Sequence, residues 1–210
     1  MAMPKFMARQ LARPSGWFGR HVMGRFLNRK TAAHNDMVRR ELGVAPSDRV
    51  LEIGFGGAAL LEQLSTEAQN GTAVGVEVSD EMLASGNKRL RELIATGRVV
   101  LKRASAEALP FADEEFDKAC TVNTTYFWPD LHAGLSEVRR VLRPGGRLVV
   151  GFVAPEDIIR EGLHRHGFAL HSPEELALAL RVASFTVGPL RSGSDSRGTF
   201  YVLTAVRTAN

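Results

Sequence analysis

The segment that most restricts the fold is Val50-Leu51-Glu52-Ile53-Gly54-Phe55-Gly56-Gly57-Ala58, where an apolar strand pattern breaks into glycines and opens straight into a helical pattern over residues 58–65. A buried strand that feeds a helix through a tight turn is the opening unit of a parallel α/β sheet. Without a Cβ, Gly54, Gly56 and Gly57 let the chain turn sharply and let a ligand approach the backbone, and the first helical turn presents free N–H groups. In a doubly wound sheet this is where a nucleotide-like ligand lies. A strand-to-helix turn with no ligand uses the same glycines.

The alternation continues downstream. Short strands are read at 73–78, 99–102, 116–121 and 147–152, and helices at 80–94 and 131–141. Asn70-Gly71 punctuates the second strand, and Arg143-Pro144-Gly145-Gly146 reads as a tight turn before the fifth. Ser172-Pro173-Glu174-Glu175 combines an N-cap serine, a first-turn proline and a capping-box glutamate, so a further helix is expected to about residue 183. Residues 185–190 and 199–207 read as a closing hairpin. The expected fold class is α/β, a Rossmann-like doubly wound sheet that is mostly parallel with an antiparallel last strand, preceded by N-terminal helices.

With 210 residues and 44% hydrophobic content the chain supports one sizeable core. The division read from the sequence is an N-terminal basic arm with cap helices over 1–42 and a ligand-binding domain over 43–210. Residues 1–40 hold nine Lys/Arg against one acid, whereas the remainder holds eighteen against twenty-two, so the basic character belongs to the N-terminal segment. Trp17, Phe18, His21 and Phe26 lie there among arginines, which fits a cap over a pocket, a peripheral membrane contact, or a solvated helix packed on the domain. No long apolar run is present, and one cysteine, Cys120, excludes an intrachain disulfide. A soluble, cytoplasmic protein is expected. Nucleic acid is a disfavoured partner, because no RNA-binding module or stacking platform is legible.

Two acids narrow the ligand. Glu77 closes the second strand some twenty residues after the glycines, where a carboxylate can accept hydrogen bonds from both ribose hydroxyls of NAD or of S-adenosylmethionine. Gly54-Phe55-Gly56-Gly57-Ala58-Ala59 also satisfies a dinucleotide fingerprint. Glu52, however, sits just before the glycines, where it would repel a diphosphate and attract a cationic methionine moiety. Either acid can alternatively cap local backbone N–H groups.

These residues resemble the class I S-adenosylmethionine-dependent methyltransferases, in particular the broad group that includes the ubiquinone/menaquinone C-methyltransferases. The likeness covers residues 48–152 and rests on 50–57, VGVEVSDEML at 74–83, SAEALPFADEEFD at 105–117 and EVRRVLRPGGRLVV at 137–150. It implies a seven-stranded sheet with S-adenosylmethionine as cofactor and methyl transfer to a small-molecule acceptor. Carried over by position, Gly54 and Gly56 cradle the cofactor, with Gly57 beside them. Glu52 lies near its methionine end, Glu77 holds the ribose, and Val78 and Met82 pack near the adenine. Ser105, Ala106 and Glu107 line the adenine edge, and Asn123 reaches the methionine or the methyl-transfer region. Ser105 stands where many members have aspartate, and Ala58 where they have a third glycine.

The acceptor pocket is expected at Asn123-Thr124-Thr125-Tyr126-Phe127-Trp128-Pro129-Asp130, beyond the fourth strand, with Tyr126 and His132 as the candidate catalytic groups. His164, His166 and His171 lack metal-ligand spacing, so no metal is expected. Rival readings are a membrane-associated lipid or quinone methyltransferase, a non-catalytic S-adenosylmethionine-binding protein and an NAD-dependent dehydrogenase.

Overall fold

The computed structural model describes residues 31–195 and 198–209. The basic arm, with Trp17, Phe18, His21 and Phe26, lies outside the described residues.

The elements follow in the order α1 (Ala32–Leu42), β1 (Arg49–Ile53), α2 (Ala59–Glu67), β2 (Thr72–Glu77), α3 (Asp80–Arg89), α4 (Arg91–Ala95), β3 (Val99–Arg103), β4 (Phe116–Val122), α5 (Leu131–Val141), β5 (Leu142–Val153), α6 (Pro155–Arg160), α7 (Pro173–Val182), β6 (Phe185–Asp195) and β7 (Gly198–Arg207). Short 3-10 turns at Thr125–Phe127 and Leu163–His166 punctuate the second half. The seven strands form one sheet in the order β3-β2-β1-β4-β5-β7-β6, with β7 antiparallel to both of its neighbours. Strand order reverses at β1, which pairs with β2 on one side and β4 on the other. The crevice beyond the carboxyl ends of β1 and β4 is therefore the ligand position for an open sheet of this kind.

Each face of the sheet carries its own core. Val50, Ala73, Cys120, Val149 and Val202 point toward Val38 and Leu42 of α1 and Leu60, Leu61 and Leu64 of α2. Leu51, Ile53, Val74, Val76, Leu148 and Val150 point the other way, toward Leu135 and Val138 of α5 and Leu176 and Leu180 of α7. Near-continuous apolar strands are what a sheet covered on both faces requires. The stripe His34, Val38 and Leu42, spaced four apart, is the buried face of α1, so this helix is built into the core of the domain that follows it.

Three local differences from the sequence reading have clear causes. The helix expected over 80–94 is two helices, because Leu90 leaves helical geometry (φ −101°, ψ 15°) and buries its side chain. The Arg143-Pro144-Gly145-Gly146 turn is absorbed into β5, which starts at Leu142 and pairs with Phe116 across a register irregularity. Third, β6 and β7 extend through the polar stretch to Asp195 and Gly198, where a loop was expected. The capping box at Ser172 and Glu175 forms as read.

Candidate functional site

The turn after β1 is shaped by backbone conformation. Gly54 (φ 74°) and Gly56 (φ 47°) take left-handed conformations that suit glycine, and the Gly54 N–H donates to the Val76 carbonyl at 2.8 Å. A Cβ on Gly54 would lie 2.5 Å from the Thr124 methyl group, so the turn and the segment after β4 are in contact across the crevice. Gly57 is not left-handed, whereas Ala58 is (φ 58°), as the N-cap of α2. Ala58, where the resemblance implies a third glycine, thus holds a glycine-like conformation with a Cβ on it, at a cost of about 1–2 kcal/mol. Phe55 is buried and packs where Gly75 of β2 and Gly86 of α3 leave room for its ring.

Two buried carboxyls stand beside this turn. Glu77, at the end of β2, accepts the Gly56 N–H at 3.1 Å on one oxygen and the Val78 and Ser79 N–H groups at 2.8 and 3.0 Å on the other. It therefore ties the glycine turn to the start of α3, and burial raises its pKa against the opposing effect of those three N–H bonds. Glu52 is buried in β1 between Gly75 and Cys120 of the neighbouring strands. Burial, then the nearby charge of Glu77, holds its pKa well above the ordinary 4.5, and the Leu61 N–H in the first turn of α2 opposes this only in part. Its Oε2 is buried with no hydrogen-bond partner. A buried carboxyl oxygen without a donor is costly and fits a site completed by a cationic or hydrogen-bonding ligand.

The adenine-side candidates divide. Val78 is exposed, while Met82 is fully buried and donates its backbone N–H to the Ser79 cap. Ser105 forms a bridge with Ala108 beyond β3, Ala106 is buried in the core, and Glu107 keeps one buried oxygen, Oε1, without a partner.

Beyond β4 the aromatic segment is more internal than its composition suggests. Tyr126 is buried, its ring lies 6.0 Å from that of Phe168, and its hydroxyl donates to Asn123 Oδ1 at 3.0 Å and accepts the Val153 N–H. Phe127 meets Phe168 edge-on at 4.6 Å, and the Trp128 ring lies against Gly134 of α5. The Ala169 N–H donates to the Tyr126 carbonyl, which joins the 155–171 segment to this edge. His132 is exposed in the first turn of α5, which Asp130 caps. His164 lies in the second 3-10 turn with a buried, unpartnered Nδ1.

Asn123 itself has φ 58° and contacts His34 through Nδ2···Nδ1 at 3.4 Å. Sequence reasoning missed His34, and it placed Thr124 in the acceptor pocket without its contact to Gly54. The four-residue stripe of α1 is the signal that could have marked His34 as buried, but nothing local marks its partner.

A family model described as a methyltransferase domain matches residues 51–150, from β1 through β5. The ubiquinone/menaquinone biosynthesis C-methyltransferase UbiE of Geotalea daltonii is 31% identical over 150 residues, covering 68% of this chain and 64% of that protein. The 27-O-demethylrifamycin SV methyltransferase of Amycolatopsis mediterranei is 30% identical over 125 residues, covering 60% of this chain and 46% of its own length. The chain thus spans roughly half to two thirds of these curated relatives. Among solved structures, a geranyl diphosphate methyltransferase in complex with GPP and sinefungin superposes with a TM-score of 0.74 at 21% identity, covering 87% of this chain and 80% of that one. The strand order, the left-handed glycine turn, the acid that closes β2 and the methyltransferase-domain match over residues 51–150 agree in likening β1 through β5 to the class I S-adenosylmethionine-dependent methyltransferases.

Proposed function

We propose that the protein binds S-adenosylmethionine at the β1–β4 crevice and transfers its methyl group to a small-molecule acceptor. The observation that carries this is the buried pair Glu52 and Glu77 beside the left-handed Gly54 and Gly56. A cation with a ribose would favour the ionised form of these two carboxyls against the burial that raises their pKa values, whereas a diphosphate would disfavour it further. When bound, S-adenosylmethionine supplies a methyl group on a positively charged sulfur, open to in-line attack by an acceptor nucleophile.

The chain's own residues bind and orient. Glu77 has four lone-pair sites and three backbone donors, which leaves capacity for ribose hydroxyls. Gly54, Gly56 and Gly57 give backbone access, and the unpartnered oxygen of Glu52 marks the methionine end. Val78, Met82, Ser105, Ala106 and Glu107 form the adenine side, with the partly buried Ser105 in place of a carboxylate. Asn123 faces the methyl-transfer region. On the acceptor side, the partly exposed Phe127 and Trp128 offer flat apolar walls that exclude water. Tyr126 braces that wall, since its hydroxyl is already bonded, and the exposed His132 is the titratable candidate where the acceptor must lose a proton. An apolar ring compound, as in the quinone relatives, suits these walls. Basic residues 1–40 are the candidate membrane contact for such an acceptor, although no described helix is long and apolar enough to cross a membrane.

Calorimetric titration with S-adenosylmethionine, S-adenosylhomocysteine and NAD tests the reading. Binding of the first two and not of NAD is expected, with affinity reduced about tenfold or more by Glu77→Ala, which removes the turn's anchor. A folded protein that binds neither sulfur compound overturns it.

A further inference from the structure

We infer that His34 is a positioning residue that sets the side-chain amide of Asn123 at the methyl-transfer end of the site, so that the N-terminal helix α1 takes part in cofactor binding without touching the cofactor. The inference rests on the cofactor reading above.

The case is a chain of hydrogen bonds that runs from Tyr201 through His34 and Asn123 to Tyr126 and Val153. His34 is fully buried in the first half of α1, with its ring stacked on Phe200 of β7 at 4.5 Å between centroids and 23° between planes. It fits against the sheet because Gly151 of β5 has no side chain; a Cβ there would lie 2.5 Å from Nε2. Nε2 is 3.1 Å from the Tyr201 carbonyl oxygen. A carbonyl only accepts, so Nε2 carries the proton and, in the neutral ring, Nδ1 is an acceptor. Nδ1 faces Asn123 Nδ2 at 3.4 Å, which fixes which end of the amide is nitrogen. The oxygen end then accepts the Tyr126 O–H at 3.0 Å, and the Tyr126 oxygen accepts the Val153 N–H. Reversing the amide would place two acceptors against each other at His34 and two donors at Tyr126.

The network crosses the carboxyl edge of the sheet from one core to the other, since His34 lies beside the α1 core and Tyr126 belongs to the opposite one. Asn123 is at the crossing. Its backbone N–H is held by the Gly151 carbonyl at 2.9 Å, and the next residue, Thr124, touches the glycine turn at Gly54. One Nδ2 hydrogen and one Oδ1 lone pair remain once His34 and Tyr126 are served, and the network aims both. A loose asparagine amide would present donor and acceptor interchangeably; this one presents them in a fixed order.

Two substitutions separate positioning from packing. The amide of His34→Gln reaches the Nε2 position and keeps the bond to Tyr201 but leaves Asn123 unheld. The shorter amide of His34→Asn reaches the Nδ1 position and keeps an acceptor for Asn123. Both lose the stack on Phe200, so both lower the thermal midpoint. Titration with S-adenosylhomocysteine is expected to show affinity about tenfold weaker for His34→Gln and within about threefold of wild type for His34→Asn. Asn123→Ala leaves the His34 contacts to Phe200 and Tyr201 intact and is expected to weaken binding about tenfold, with His34→Gln adding little on top of it. Equal weakening by the two His34 variants, or wild-type affinity in Asn123→Ala, overturns the inference while leaving the cofactor reading standing. Absence of binding by the wild-type protein overturns both.

Discussion

At the carboxyl ends of β1 and β2 the candidate site is made by backbone, whereas beyond β4 it is made by side chains that hold one another. Gly54 and Gly56 act through φ, and Glu77 acts on three N–H groups within its own neighbourhood of strand and turn. Tyr126, Phe127, Trp128 and Phe168 act through rings contributed by segments some forty residues apart, closed by the Asn123 and Val153 bonds to Tyr126. The first region is held by backbone bonds between the turn after β1 and the end of β2, some twenty residues apart. The second depends on Phe168, a distant partner, and under the proposed function it is where acceptor preference would vary without disturbing the cofactor end.

The largest break in that comparison is expected at Gly54. Gly54→Ala combines a left-handed alanine with a Cβ pressed against Thr124, and about 2–4 kcal/mol of stability should be lost. Cofactor affinity should fall about a hundredfold or more, measured by urea unfolding and S-adenosylhomocysteine titration. Near-normal binding would mean that the turn is not the cradle. Phe168→Ala should cost about 3 kcal/mol by removing a ring from the aromatic cluster, yet change S-adenosylhomocysteine affinity less than threefold. A loss of affinity as large as that of Gly54→Ala would erase the distinction between the two regions.

A subtler effect is expected at Glu52. Its folded-state pKa is raised, so the stability it contributes is full below the ordinary 4.5 and is lost as pH rises through the folded value. Glu52→Gln should therefore flatten the fall in stability from pH 4.5 toward neutrality. A residual slope of the same sign remains from Glu77, whose pKa is also raised. Urea midpoints across that range should show this, and an unchanged slope would place the titration elsewhere. Smallest of all, Ala58→Gly should relieve left-handed strain at the N-cap of α2 and add up to about 1 kcal/mol, part of the gain being returned as unfolded-chain entropy. A clear destabilisation in thermal melts would show that the Ala58 methyl matters more to the core than its strain costs.

How much of this was legible in the sequence follows the same division. All seven strands were readable from apolar runs and turn residues, because a two-sided sheet leaves a strong local pattern. The glycine turn after β1 and the acid that closes β2 were readable because a strand that breaks into glycines and opens a helix is a local pattern. Ala58, which the sequence places where a third glycine is usual, carries a left-handed conformation that spacing alone does not reveal. The helix α6 was missed because Pro155-Glu156-Asp157 reads equally as a turn and the helix is only 6 residues long. Tyr126 attracted attention as an aromatic with a polar tip, but no local rule reveals that the tip is already bonded to Asn123 and Val153. His34 lies 89 residues from Asn123 and 167 from Tyr201, separations across which sequence pattern carries no signal.

The placement of β1 has a kinetic consequence. Its pairing with β2 closes a short crossover, but its pairing with β4 joins residues about 68 apart, as between Ile53 and Thr121. Loop-closure entropy makes distant pairings of this kind late and slow. The β1–β4 seam is also the crevice in which Gly54 meets Thr124, so the candidate ligand site is assembled only once β4 has joined β1. A cofactor that bridges this seam would then act as a kinetic clasp, binding the finished fold in preference to any partly paired chain and slowing its unfolding.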